Sequence, residues 1–204
     1  MGHSFDIREA LVVAVAVLIG LTFHEFAHGY AAFRLGDDTA ARGGRLTLNP
    51  LKHIDLVGTL VVPVVMLAAQ MPFLVGWAKP VPVRAANLRN PRRGMSLVAA
   101  AGPLANLALG ASFAALALLS LHAGGPDWLT AALRICAVTN ILLGGFNLLP
   151  LPPLDGSKVV AGFLPPRWVK AYLALGTHGP LTFLLYLVGF SVVLLIAAGI
   201  RALF

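Results

Sequence analysis

His24, Glu25 and His28 stand in the order H-E-x-x-H within an apolar run over residues 7–35. On a helix, positions i and i+4 share a face, so both imidazoles can point at one ion. Glu25 lies beside a ligand without being one, where it can reach a metal-bound water and take its proton. The chemistry these residue types imply is zinc-activated water. The pattern alone is short enough to arise by chance, and its setting is what gives it weight. No residue in 10–23 is charged, so the run reads as a membrane helix with the motif in its second half. An acid at the centre of such a helix costs ~2.5 to 3.5 kcal/mol even on a lenient insertion scale, which makes ionisable groups there functional candidates.

The rest of the chain fits that setting. Of 204 residues, 58% are hydrophobic and 11% charged, and mean hydropathy is +0.85, far from the roughly 25% charged of a soluble domain. This is the composition of an all-α, polytopic membrane protein forming a single membrane-embedded domain. The net charge of +7 follows from the bias of Lys and Arg toward the cytoplasmic side. No Lys/Arg cluster alternates with aromatics as nucleic-acid binding requires. Cys136 is the only cysteine, which excludes an intrachain disulfide and a cysteine-rich zinc site. No short cleavable leader pattern precedes the first helix, which is expected to be retained.

Apolar segments fall near 10–33, 57–75, 95–121, 131–150 and 181–203, and most are long enough to cross a bilayer. About four to five membrane helices are expected, with a re-entrant and hairpin-containing region on the cytoplasmic side. Within 158–177, Leu164-Pro165-Pro166 interrupts the run and Arg167 and Lys170 come after the break, the pattern of an interfacial helix rather than a span. Charge decides the path of 57–75. If it crosses, six Lys/Arg residues lie on one side and nine on the other; if it enters and returns, the division is twelve against three. The second is the clear positive-inside pattern. Gly58, Pro63, Pro72 and Gly76 supply the breaks that such a path uses. The motif then lies toward the cytoplasmic end of its helix, in the cell's inner (plasma) membrane.

In 41–50, Gly43-Gly44 followed by alternating Leu46 and Leu48 gives a hairpin-like signal. In 77–83, Pro80 and Pro82 forbid a helix and favour extended backbone. Both stretches read either as edges that accept a peptide strand or as ordinary interfacial loops.

Two histidines leave a catalytic zinc short of its usual three protein ligands, and a carboxylate commonly completes the set. Asp155 is the best candidate. Asp37, Asp38, Asp55 and Asp127 lie in expected loops, whereas Asp155 follows an apolar helix and a proline-distorted stretch, Leu151-Pro152-Pro153-Leu154. With 57–75 re-entrant, the helix before Asp155 runs in the same direction as the first, which brings Asp155 to the depth of His24 and His28. Gly102, Asn106 and Gly110 recur at four-residue spacing, so Asn106 reads as a helix-packing residue in preference to one with a direct role in the chemistry. Asn147 lies seven residues after Asn140 and shares roughly a face with it. Its amide is expected either to donate to a developing oxyanion or to tie two helices together.

His24-Glu25-Phe26-Ala27-His28, Gly76-Trp77-Ala78-Lys79-Pro80-Val81-Pro82-Val83, Ala101-Gly102-Pro103 and Asn147-Leu148-Leu149-Pro150-Leu151-Pro152-Pro153-Leu154-Asp155-Gly156 together resemble the site-2 protease family of intramembrane zinc metalloproteases, over about residues 20–160. The chain looks like the compact prokaryotic branch, which lacks PDZ and CBS domains. The resemblance implies one zinc held by His24, His28 and Asp155, with Glu25 as general base and acid and Asn147 assisting substrate binding or the tetrahedral intermediate. It implies a transmembrane or membrane-associated peptide as substrate. A departure is the lack of a spanning helix before Ile7, which some members carry. Two other classes fit the residues: a catalytically silent zinc-binding membrane protein, and a small ion or proton transporter using His24, Glu25 and His28 as its pathway.

Overall fold

The computed structural model describes residues 7–68, 77–177 and 179. Seven helices follow one another among them: α1 (Ile7–Arg34), α2 (Thr39–Arg42), α3 (Val62–Ala68), α4 (Pro91–His122), α5 (Asp127–Asn147), α6 (Asp155–Ala161) and α7 (Pro166–Ala174). No strand occurs among the described residues. Three of the helices, α1, α4 and α5, are long and apolar enough to cross a membrane; the apolar segment 181–203 lies outside the described residues. α6 and α7, of 7 and 9 residues, are each too short to span.

The three long helices pack against one another in a pattern inverted from that of a soluble protein. Large apolar side chains point outward: Leu11, Val15, Leu97, Leu104, Leu116 and Leu119 are each more than half exposed or close to it. The inward stripe of α1 is Ala16, Gly20, His24 and Ala32, and α4 and α5 bury Gly102, Asn106, Gly110, Asn140 and Gly144. Lipid tails are as apolar as leucine, so nothing drives leucine inward; small residues there let helices approach closely and gain dispersion contacts. At Gly110 an added Cβ would fall 2.7 Å from Ile141 Cγ1 and 3.1 Å from Ala137 O. α4 begins with a strong stop-start signal, Asn90 accepting from Arg93 N at 3.2 Å with Pro91 at the first helical position.

The hairpin expected in 41–50 is absent. Gly44 takes a left-handed φ of 63° to turn the chain after α2, and the segment continues as bends. Alternating leucines form a ladder only beside another strand, and none is offered. The 77–83 stretch is extended as expected, but its partners are not a strand: Lys79 N donates to His53 O at 2.9 Å, and Val81 N donates to the Glu25 carboxylate at 2.7 Å. Arg45 reaches across to Lys79 O at 2.8 Å. Asp55 caps the helical segment that begins at Leu56, accepting from Val57 N and Gly58 N. At the far end Trp77 N donates to Gly58 O at 3.2 Å, and Thr59 Oγ1 donates to Trp77 O at 2.8 Å. Residues 58 and 77 therefore lie side by side.

Asp37, fully buried, ties the end of α1 to the segment before α4. It accepts from Thr39 N, Arg84 N and Asn87 Nδ2 and from the Thr39 hydroxyl. Burial acts to raise its pKa, but the hydrogen bonds from Thr39, Arg84 and Asn87 outweigh that and hold it below the ordinary 3.8. A depressed folded value means that the stability Asp37 contributes is complete above the ordinary value and is withdrawn as pH falls through the folded one. Asp37→Ala is expected to lower stability in detergent by about 2–3 kcal/mol, the worth of hydrogen bonds to a charged acceptor when they are not additive. Thermal unfolding at pH 7 and below 4 checks this: the gap between wild type and variant should narrow at the lower pH.

Candidate metal centre

His24 and His28 lie one turn apart on α1, and Asp155 is the first residue of α6. The tight arrival of α6 explains the glycine that follows it, because a Cβ at Gly156 would fall 2.2 Å from Leu148 O at the end of α5. The three side chains converge. His24 Nε2 lies 3.0 Å from Asp155 Oδ2, His28 Nε2 lies 3.0 Å from the same oxygen, and the two Nε2 atoms are 3.0 Å apart. Among the described residues this is the only group of three or more His, Cys, Asp or Glu side chains set to share an ion.

The outward nitrogens decide what the inward ones are. His28 Nδ1 faces Val98 O at 2.6 Å, and a carbonyl only accepts, so this nitrogen carries the hydrogen. His24 Nδ1 faces Asn106 Oδ1 at 2.6 Å. The Asn106 amide is held in this orientation by two acceptors of its Nδ2, Gly20 O at 3.0 Å and Asn140 Oδ1 at 3.2 Å. In the neutral rings both Nε2 atoms are therefore bare lone pairs. Two lone pairs and a carboxylate oxygen pointing at one another repel unless a cation lies between them.

Zinc fits that cation. A tetrahedral ion about 2.0–2.1 Å from N and O donors holds them roughly 3.3 Å apart, within a few tenths of an ångström of the spacing observed. Outward hydrogen bonds that fix both tautomers are the usual support of metal-binding histidines. Gly102 completes the cradle: a Cβ there would sit 2.4 Å from His28 Nε2 and 2.8 Å from His24 Nε2. Lys158 Nζ donates to the other Asp155 oxygen, Oδ1, at 2.9 Å, leaving Oδ2 as the single inward donor. With the Lys158 ammonium against Oδ1, Asp155 is placed to present Oδ2 to the histidines as an anionic donor for a cation.

Glu25 is half-buried beside this cluster, with Oε2 held by Val81 N. Asn147, the last residue of α5, donates from Nδ2 to Leu143 O at 2.9 Å, one turn back on its own helix. The sequence reading of Asn106 was incomplete. It does bond across the helix interface, to Asn140 Oδ1 at 3.2 Å, and it also takes the His24 ring nitrogen. Lys158 and Val98 O are further contributors that no quoted motif contained; Gly102 and Val81 lay in quoted motifs, Gly102 as a packing residue and Val81 as part of an extended stretch, without these roles.

No family model matches the chain, and no solved structure matches it. Named relatives do. The chain is 37% identical over 183 residues to "Putative zinc metalloprotease YwhC" of Bacillus subtilis (strain 168), a match covering 86% of this chain and 80% of the relative. It is 35% identical over 179 residues to "Putative zinc metalloprotease Rip2" of Mycobacterium tuberculosis, covering 87% of this chain and 66% of that protein. It is 34% identical over 168 residues to the protein of the same name in Mycolicibacterium smegmatis, covering 79% and 60%. With a match of this extent to zinc metalloproteases and a three-donor cluster built on H-E-x-x-H and Asp155, the chain belongs to the site-2 protease family.

Proposed function

We propose that this protein is an intramembrane zinc endopeptidase that hydrolyses peptide bonds within or near transmembrane segments of other proteins. The observation that carries the proposal is the convergence of His24 Nε2, His28 Nε2 and Asp155 Oδ2 at 3.0 Å, with both histidines and the adjacent Glu25 on a helix apolar enough to cross a membrane.

His24, His28 and Asp155 hold one zinc, which supplies a water acidified toward a pKa of ~7 and a Lewis acid for the scissile carbonyl. Glu25 is the general base and acid. Val81 N fixes one of its oxygens, and the other takes a proton from the attacking water and returns it to the leaving amine. Asn147 donates to the developing oxyanion through the amide N–H that Leu143 O does not take; catalytic hydrogen bonds often form only in the loaded complex. Asn147→Ala is expected to keep its zinc and its detergent stability while turnover falls on the order of a hundredfold, as for loss of one oxyanion donor. Measuring zinc content, melting and cleavage on one preparation separates this from a packing role, which would lower stability and spare the rate.

A substrate helix hides its carbonyls in its own hydrogen bonds, so part of it must unwind. The extended 77–83 stretch beside Glu25 takes up freed backbone groups by strand addition, and since Pro80 and Pro82 lack N–H, it offers them carbonyls. The side-by-side placement of residues 58 and 77 supports a 57–75 segment that enters and returns on one side. Twelve of fifteen Lys and Arg residues then face the cytoplasm, with the metal centre toward that side of the plasma membrane. The test compares the membrane peptides of cells carrying wild type and Glu25→Gln. A segment that persists only with the variant is the expected result; identical peptide profiles, with both proteins folded and zinc-loaded, would overturn the proposal.

A further inference from the structure

Asn106 and Asn140 are 1% and 0% exposed, come from different helices, and form one line of hydrogen bonds that ends on a histidine of the metal centre. At the far end, Asn140 Nδ2 donates to Cys136 O at 2.9 Å. A backbone carbonyl only accepts, so this amide must present its nitrogen there and its oxygen the other way. That oxygen accepts from Asn106 Nδ2 at 3.2 Å, and the same Nδ2 donates to Gly20 O at 3.0 Å. Two acceptors pin the Asn106 nitrogen, and only its oxygen is left for His24 Nδ1 at 2.6 Å. His28 needs no such device, because its partner is the backbone carbonyl of Val98, which cannot flip. The space for the relay is made by Gly20, where a Cβ would fall 2.5 Å from Asn140 Oδ1 and 3.2 Å from Asn106 Nδ2.

We infer that Asn106 and Asn140 are positioning residues for the metal: together they hold His24 in the tautomer and orientation that turn Nε2 toward His28 and Asp155, although Asn140 does not touch the ring. The inference rests on the zinc reading above. Without the Asn140 oxygen, the Asn106 amide loses one of the two acceptors that orient it. Flipped, it would present N–H to His24 Nδ1, favour the tautomer with hydrogen on Nε2, and remove a donor from the centre. Simple interhelical packing predicts no such link between α5 and the histidine.

The test uses the full chain in detergent. Asn140→Leu keeps the approximate volume and removes both polar groups. Asn140→Asp, buried and therefore neutralised by protonation, keeps an acceptor for Asn106 and an O–H for Cys136 O. Zinc affinity is measured by competition with a chelator, and the His24 tautomer by nitrogen-15 shifts of histidine-labelled protein. The leucine variant is expected to bind zinc about ten- to a hundredfold more weakly, the usual effect of losing an outer partner of a metal-binding histidine, and to change the His24 ring-nitrogen shifts. The aspartate variant should stay close to wild type in both. Should the leucine variant fail to fold, Gly20→Ala decides, since its Cβ displaces the relay without removing a polar group, and it too should weaken zinc. Equal zinc affinity in wild type and in the folded leucine variant, or in Gly20→Ala, would overturn the relay while leaving the zinc reading intact. Wild type that binds no zinc would overturn both.

Discussion

Gly102→Ala should strip the protein of zinc and of activity while leaving its helices assembled. The added methyl carbon would arrive 2.4 Å from His28 Nε2, 2.6 Å from His28 Cε1 and 2.8 Å from His24 Nε2. Real carbon contacts do not approach so closely, so one or both rings must swing away. Neither can do so freely. His28 would leave Val98 O, and His24 would leave Asn106 Oδ1, and each would strand a buried polar group at a cost of about 1–3 kcal/mol. A ring displaced by an ångström no longer completes the donor triangle, and misplacement on that scale costs on the order of a hundredfold in rate. Helix propensity acts in the other direction, since alanine is favoured over glycine within a helix by roughly 1 kcal/mol. Zinc per chain measured on protein that keeps its helical circular dichroism decides the matter. A Gly102→Ala protein with full zinc would mean that the ion does not sit in this cradle.

Glu25→Gln should behave in the opposite way, keeping zinc while turnover falls by about a hundredfold to ten-thousandfold, the range spanned by general acid–base catalysis. The replacement is close in shape, and the amide oxygen of glutamine can still accept from Val81 N, so the contact that holds the 77–83 stretch against α1 survives. Glu25 is also absent from the three-donor cluster. What glutamine cannot do is accept and return a proton. Full zinc with lost cleavage assigns the loss to proton transfer; loss of both would place Glu25 in the support of the metal instead. The two variants form a contrast, one emptying the site and the other silencing it.

Much of this centre is readable from local pattern. The spacing of His24 and His28 places both rings on one face of any α-helix, whatever surrounds it. The uncharged run before them and the low charge of the chain place that helix in a membrane. Asp155 emerges as third donor because the other candidate acids fall in loops, and because the Lys and Arg distribution aligns the direction of its helix with that of α1. The structure brings these three donors together, and Asp37, set aside as a loop residue, is used to clamp the end of α1.

Other features depended on partners distant in the chain. Leu46 and Leu48 alternate like a strand, yet a strand needs a neighbour, and Arg45 and the bends around it dock on 77–83 instead. Pro80 and Pro82 announce extended backbone, but nothing near them says that the N–H between them holds Glu25, 56 residues away. Asn106 lies on a stripe of small residues and reads as packing. Its bond to His24, across 82 residues, exists because Gly20, Gly102 and Gly110 let α1, α4 and α5 approach closely enough for side chains as short as asparagine to meet. Periodicity records which face of a helix turns inward. Which atom a side chain meets there depends on the relative depth and rotation of the helices, and these arise only when the helices pack.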